Sequence, residues 1–143
     1  MERKDWALLA IAAARGDALT PVQLQKSLFL LGQEFPTVVG GGYYKFAPYN
    51  YGPFDRDVYV DAEVLATEGL VALQNSPGQT WVEYRATQEG LGKAEQLRRP
   101  LDANVAQYIT DVVAWTRGLS FQSLVRAIYA KYPHFRENSV FRG

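Results

Sequence analysis

Residues 54–73 read FDRDVYVDAEVLATEGLVAL, and after a polar turn residues 80–90 read TWVEYRATQEG. The first segment has helical spacing of its apolar residues up to Gly69, and these residues are Phe54, Val58, Ala62 and Leu65. Alternation then predicts a two-stranded hairpin, whose inward-facing side chains are Val71, Leu73, Val82, Tyr84 and Ala86. Thr87 is placed to cap a further helix. Helix, hairpin and helix in this order are the second half of a winged helix.

Two more helices are predicted ahead of this segment. The first runs from Trp6 to Ala14, and Thr20 with Pro21 starts the second, because a threonine hydroxyl accepts a cap N–H and proline fits the first helical turn. One side of the second helix is apolar, with Leu24, Leu28, Leu31 and Phe35, before Pro36 and the glycines at 40–42 end it. Together with the hairpin, these helices predict an α+β fold with a winged helix-turn-helix core.

A helical extension follows the core. An apolar stripe at helical spacing comprises Leu101, Val105, Tyr108, Ile109, Val112 and Trp115. Ser120 caps the next helix, in which Leu124, Ile128 and Tyr132 face inward. We therefore expect one domain over 1–143, with a winged-helix core at about 5–97 and a helical extension at about 101–133. The 101–117 helix serves either a homodimer or the core of the chain itself.

Composition excludes several kinds of chemistry. The 143 residues include no cysteine and one histidine, His134, so disulfides and thiolate metal sites are excluded. Nothing in the sequence supplies a nucleophile or an oxyanion site beside His134, and no catalytic, metal or cofactor site is predicted. No apolar run approaches the roughly 20 residues that cross a bilayer. We expect a cytoplasmic protein that has no membrane partner.

Aromatic residues are concentrated between the two halves of the core. The stretch 43–51 reads YYKFAPYNY and predicts a short or irregular strand, after which Gly52 and Pro53 break the chain. The candidate contacts for a protein partner are Tyr49, Tyr51, Pro53, Phe54 and Tyr59. Exposed rings can anchor a protein or stack on single-stranded bases beside Lys45. The alternative is that these rings fill the core between the helices.

Charge argues against ordinary DNA recognition. A helix in the major groove needs cations, because each phosphate contact gains affinity by counterion release. The predicted third helix instead brings Asp55, Asp57 and Asp61 with only Arg56 to oppose them. Asp57 and Asp61, four residues apart, are interpreted as a solvated face in preference to a metal site.

Basic residues lie elsewhere in the chain. For a DNA-binding alternative that uses the wing and the C-terminal helices, the candidates are Lys45, Arg85, Arg126, Lys131 and Arg136, with Arg142 beyond them. The last ten residues are polar and basic, and we expect them to be loosely held.

Three segments carry a family resemblance. LQKSLFLL (24–31), KFAPYNYGPFDRDVYVDAEVLATEGLV (45–71) and LVRAIYAKYP (124–133) resemble the Panacea or SocA-like antitoxin-associated domain and the related YwgA-like small proteins. The shared outline is an L-Q-K helix, a Y-G-P turn, a helix with a tyrosine and a Gly-Leu-Val exit. The residues that match this outline are Lys26, Tyr51, Gly52, Pro53 and Tyr59.

The resemblance implies a non-catalytic module that binds proteins, including toxins and proteolytic machinery. It adds Lys26 and Gly52 to the candidate contacts. A protein partner, either a toxin or a regulatory protein, is therefore the first expectation. A DNA-binding transcriptional regulator is the alternative, and an enzyme is the least favoured class.

Overall fold

The computed structural model of this chain describes residues 1–75 and 77–141, so Arg142 lies outside the described residues. Its helices are α1 (Arg3–Ala12), α2 (Pro21–Glu34), α3 (Pro36–Val39), α4 (Asp57–Thr67), α5 (Gln88–Arg98), α6 (Ala103–Arg117) and α7 (Phe121–Lys131), followed by a 3-10 helix at Pro133–Arg136. Its strands are β1 (Ala18–Leu19), β2 (Ala47–Tyr49), β3 (Gly52–Phe54), β4 (Val71–Gln74) and β5 (Glu83–Ala86). The predicted α+β class is confirmed.

The strands form two small antiparallel sheets. One has the order β1-β5-β4 and the other is the β2-β3 hairpin. The predicted hairpin is present as β4 and β5, with Leu73 opposite Tyr84. Strand β1 was not predicted, because two residues are too short to show alternation. It pairs with β5 through Leu19 and Tyr84, so β5 is the central strand.

Helix α1 lies at the centre of the packing. Every residue from Trp6 to Ala12 is buried, and the helix contacts α2, α4, α5 and α6. One hydrophobic cluster extends from Trp6 to Ile128 and includes residues of both the first helices and the C-terminal ones. Most of the stripe on α6 belongs to this cluster, since Val105, Ile109 and Val112 are buried against the chain itself.

Helix α2 is buried on every side over part of its length. Leu24 to Leu31 are eight consecutive buried residues, and three of them are polar. Each polar side chain has a partner: Gln25 donates to the Asp55 carbonyl at 2.8 Å, and Ser27 lies 3.0 Å from the Thr116 hydroxyl on α6. The third, Lys26, is described with the candidate site below. These bonds allow polar groups to sit in the interior without an unsatisfied donor.

Several sequence predictions are corrected around the hairpins. Gly52 and Pro53 do not break the chain but form β3, where proline is tolerated because a two-stranded sheet has only edge strands. Phe54 belongs to this strand and not to α4. The Asp55 carboxylate accepts the Asp57 N–H at 2.8 Å and so satisfies the start of α4. Leu73 is exposed and not inward-facing.

The C-terminal residues that the structure describes are held in place, contrary to the sequence expectation. The Val140 N–H donates to the Asn50 carbonyl at 2.9 Å, and the Tyr129 hydroxyl donates to Ser139 at 2.6 Å. Phe141 is buried against the rings of Phe121 and Tyr129. Within the described residues, the helices are all too short or too polar to cross a membrane.

Candidate functional site

Lys26 lies in the interior and is not available to a partner, which corrects its assignment as a contact. Its side chain is 3% exposed, and Nζ donates to the Pro53 carbonyl at 3.1 Å. Gly52 is packed beside it at φ +109°, where an added Cβ would lie 3.5 Å from Lys26 Cε and 3.4 Å from Tyr129 Cε1. Lys26, Gly52 and Pro53 are therefore buried next to the turn that carries Tyr51, and they hold it in place by packing and by the hydrogen bond to the Pro53 carbonyl.

Burial lowers the pKa of Lys26 from 10.5 to about 8. Between these two values the unfolded chain binds more protons than the folded protein, so stability rises with pH in that window. We expect the free energy of unfolding to increase by about 2 kcal/mol between about pH 7.5 and about pH 9.5. In Lys26→Met the rise should vanish, because the titrating group is gone. Denaturant unfolding of both chains at the two pH values measures this, and an equal rise in both would contradict it.

The predicted aromatic contacts divide into two groups. A row of rings crosses from β2 to β5: Tyr49 stacks on Phe54 at 4.8 Å, Phe54 meets Tyr59 at 5.7 Å, and Tyr59 stacks on Tyr84 at 6.3 Å between centroids. In this row Tyr49 is exposed, Phe54 and Tyr59 are half-buried, and Tyr84 is buried. The row is therefore mainly internal packing with one exposed end. Tyr51 points elsewhere and contacts Phe121.

Tyr51 lies at an open groove, the aromatic cleft, whose volume is about 610 Å³. Three exposed aromatic residues border it: Tyr51 on the β2-β3 turn, Trp81 ahead of β5 and Phe121 at the start of α7, with exposed fractions of 42%, 45% and 44%. Pro21 at the start of α2 and the buried Leu124 also line it. Three large rings left exposed around one groove are typical of interaction sites.

Sequence reasoning found one of the three rings. Trp81 stands alone in a polar turn and Phe121 follows a helix cap, so neither belongs to an aromatic run. Only the folded chain brings them to Tyr51, from the segment ahead of β5 and from the start of α7. The Tyr51 and Phe121 rings are 5.1 Å apart and meet edge to face, which fixes their orientation.

The acidic residues of α4 are largely neutralised by α1. Arg3 Nε donates to Asp61 Oδ2 at 2.9 Å and Arg3 Nη1 donates to Asp57 at 3.0 Å, while Lys4 binds Glu68 at 2.7 Å. The hydrogen bond to Asp61 raises the pKa of Arg3 above its usual value. The interpretation of Asp57 and Asp61 as a solvated face is therefore wrong for Asp61, which is buried in an ion pair.

Tyr44 completes this ion-pair group. Its hydroxyl donates to Asp61 Oδ2 at 2.7 Å, and its ring lies under the Arg3 guanidinium at 5.0 Å. Burial, with the hydrogen bond to Asp61, raises the pKa of Tyr44 far above its usual value. These groups join α1, α4 and the segment before β2, so their role is structural.

The outward face of α4 is largely apolar, whereas the face of a helix that recognises DNA is usually basic. Val60 and Val64 are exposed there, together with Glu63 and a single cation, Arg56. Pairing with α1 leaves this face with little net charge, so it is not the strongly acidic surface that the sequence predicted.

The basic candidates are all exposed but lie on separate elements. Lys45 lies between α3 and β2, Arg85 on β5, Arg126 and Lys131 on α7, and Arg136 in the 3-10 helix. Lys131 and Arg136 lie over the Tyr132 and Tyr129 rings, at 5.7 Å and 5.6 Å from the centroids. The structure does not gather them into one groove.

His134 also lies apart from the aromatic cleft. Its Nδ1 is 3.2 Å from Glu137 Oε1, and both side chains are exposed on the surface, with 66% and 63% of their area accessible.

The chain was compared with known protein families and with curated proteins. A scan against models of protein families gives no match, and a search of curated proteins gives no significantly similar sequence.

Proposed function

We propose that this chain is a non-catalytic winged-helix module that acts by binding another protein at the aromatic cleft. The observation that carries the proposal is the set of three exposed rings, Tyr51, Trp81 and Phe121, around one apolar groove. Tyrosine and tryptophan are enriched among the residues that dominate binding energy at protein interfaces. The resemblance to antitoxin-associated domains makes a toxin or a regulatory protein the first partner to test.

The winged-helix part of the proposal is supported by strand order. Strand β1 lies between α1 and α2 in the chain and pairs with β5, which gives the order β1-β5-β4. A winged helix has this order, with its wing formed by the last two strands. Helix α4, directly ahead of the hairpin, then stands where the recognition helix would be. Helix α3 and the β2-β3 hairpin are additions between α2 and α4.

DNA binding is the alternative, and the face of α4 argues against it. Exposed valines and one arginine offer few phosphate contacts, and the other cations lie on several elements. A mobility-shift assay with duplex DNA at two salt concentrations separates the two functions, because phosphate binding weakens steeply as salt rises. A salt-dependent shift that is lost in Arg126→Ala would favour the alternative.

The protein-binding proposal predicts a site-specific loss of affinity. The tagged chain is purified from its native host, the co-purifying protein is identified, and that protein is produced alone and titrated. Trp81→Ala and Tyr51→Ala should each weaken binding by about tenfold or more, since truncating a central aromatic residue commonly costs over 1.4 kcal/mol.

Trp115→Ala is the matched control for this titration. Trp115 is also an exposed tryptophan, with 43% of its surface accessible, but it lies on α6 outside the aromatic cleft. Its truncation should leave the affinity unchanged. Thermal unfolding checks that the exposed substitutions preserve the fold, as surface changes usually do. Equal affinity of all four chains for the purified partner would reject the proposal.

A further inference from the structure

None of the described residues that line the aromatic cleft is charged. Its lining consists of rings, aliphatic side chains and the neutral polar residues Thr20, Gln23 and Thr80. A groove of this composition offers no counter-charge to a basic or acidic segment, because burying an unpaired charge is costly. The occupant that fits must therefore be uncharged where it enters the groove.

Each polar side chain of the cleft can donate a hydrogen bond, and the Trp81 indole and the Gln23 NH₂ group can only donate, whereas hydroxyls such as those of Tyr51 and Thr80 also accept. Within the described ranges, the Trp81 indole N–H and the Tyr51 hydroxyl have no hydrogen-bond partner. The Gln23 side-chain oxygen already accepts the Thr20 N–H at 3.0 Å, and the Thr20 hydroxyl oxygen accepts the Gln23 N–H at 3.2 Å. The Gln23 amide is thus left with its NH₂ group. An occupant rich in acceptors and poor in donors complements these groups.

Proline-rich backbone has this character. Proline has no N–H, and in the polyproline II helix the carbonyl oxygens are not used by internal hydrogen bonds. Aromatic-lined grooves bind such segments at low entropic cost, because the helix is formed before binding. Resting on the proposed function, we propose that the aromatic cleft binds a proline-rich segment in the polyproline II conformation, held by Tyr51, Trp81 and Phe121.

The groove is large enough for a short occupant. Its volume of about 610 Å³ is that of a pocket for a small ligand or a few residues, and it is bordered by three rings. An amphipathic helix would need an apolar surface that follows at least two turns, or about 11 Å of axis, with a diameter of about 10 Å. A polyproline II helix is thinner, advances about 3.1 Å per residue and has three residues per turn, so a few residues can place more than one side chain against the rings.

The test uses the intact chain and the indole resonances of its tryptophans. The ¹⁵N-labelled protein is titrated with a ten-residue polyproline peptide with blocked termini. Peptides of the same length serve as controls, one of alternating glycine and serine and one alanine-rich and helical. We expect a saturable shift of the Trp81 indole cross-peak with polyproline only, while those of the buried Trp6 and of Trp115 stay in place.

Substitutions make the result specific to the cleft. Tyr51→Ala and Phe121→Ala should lower the affinity for polyproline by about tenfold or more, and Trp115→Ala should leave it unchanged. Absence of a saturable Trp81 shift, or an equal shift with either control peptide, would overturn the inference.

Failure of the inference and failure of the proposed function are distinguishable. If polyproline does not bind but Trp81→Ala still weakens binding of the purified partner, the cleft is a protein site with a different occupant. If polyproline gives no saturable Trp81 shift and Trp81→Ala leaves the affinity for the purified partner unchanged, both proposals are rejected.

Discussion

Gly90→Ala is expected to destabilise the protein by about 3 kcal/mol, the upper part of the range for overpacking. Gly90 lies in the first turn of α5, and a Cβ built on it would lie 1.9 Å from the Leu70 carbonyl oxygen and 2.9 Å from its carbonyl carbon. The obstructing atoms are backbone, so no side chain can rotate away. The same Leu70 carbonyl accepts the Thr87 N–H at 3.0 Å. Relieving the clash would therefore pull the start of α5 away from the β4-β5 hairpin.

Gly92→Ala is the matched control in the same helix. Apart from its chain neighbours and the backbone of its own helix, no atom of the described residues lies within 4 Å of a Cβ built at Gly92, so the substitution meets open space. Alanine is favoured over glycine inside a helix by about 0.5–1 kcal/mol, and this variant should be stabilised. Denaturant unfolding of the two variants should give changes of opposite sign. Equal changes would contradict the close approach of α5 to Leu70.

Asp61→Ala is expected to destabilise the protein by about 3 kcal/mol. Removing one member of a buried ion pair typically costs about 3–5 kcal/mol, and the lower end applies because about a third of the Arg3 side chain is accessible to water. The loss also leaves the buried Tyr44 hydroxyl without its 2.7 Å acceptor. Both consequences fall on the contact between α1 and α4, which positions the helix ahead of the hairpin.

Asp57→Ala separates the buried partner from the exposed one. Asp57 binds the same arginine through one 3.0 Å contact, but 52% of its side chain is exposed. Exposed pairs contribute about 0–1 kcal/mol, so this variant should lose no more than that. Chemical denaturation at neutral pH measures both variants. If both variants lose a similar free energy of unfolding, the burial of Asp61 does not determine how much its ion pair contributes to stability.

The local signals in the sequence were sufficient for most of the regular structure. The hydroxyls of Thr20, Thr87 and Ser120 accept the cap N–H groups of Gln23, Gly90 and Ser123 as their positions predict. Helix α4, the β4-β5 hairpin and the two C-terminal helices follow from apolar spacing. These features depend on neighbouring residues, and therefore a single sequence can show them.

The burial of polar side chains could not be predicted from local sequence patterns. Lys26 was assigned to the candidate contacts on the family resemblance, and lysine is in general seldom buried unless it is paired. Its burial depends on the β2-β3 hairpin, whose Pro53 carbonyl comes from a part of the chain 27 residues away. Asp61 is similar, because its partner Arg3 is 58 positions distant. A local sequence pattern cannot show contacts between residues that are so far apart in the chain.

The aromatic cleft was missed for the same physical reason. Tyr51 and Phe121 are 70 positions apart, and Trp81 lies between them in a different hairpin. The aromatic run at 43–54 was predicted to include contacts for a protein partner, yet Tyr43 and Tyr44 are buried and Phe54 is half-buried. Density of aromatic residues along the chain thus indicated the core, whereas the exposed site is assembled from isolated rings.

Site-specific crosslinking in the native host tests whether a partner protein binds at the aromatic cleft. A photoreactive benzophenone side chain replaces Trp81 in one chain and Trp115 in another, and irradiation is followed by mass spectrometry. The account predicts one covalent product at position 81, containing the same protein that co-purifies, and its loss when Tyr51→Ala is added. A product at position 115 alone, or none at position 81 while the partner still co-purifies, would contradict binding at the aromatic cleft.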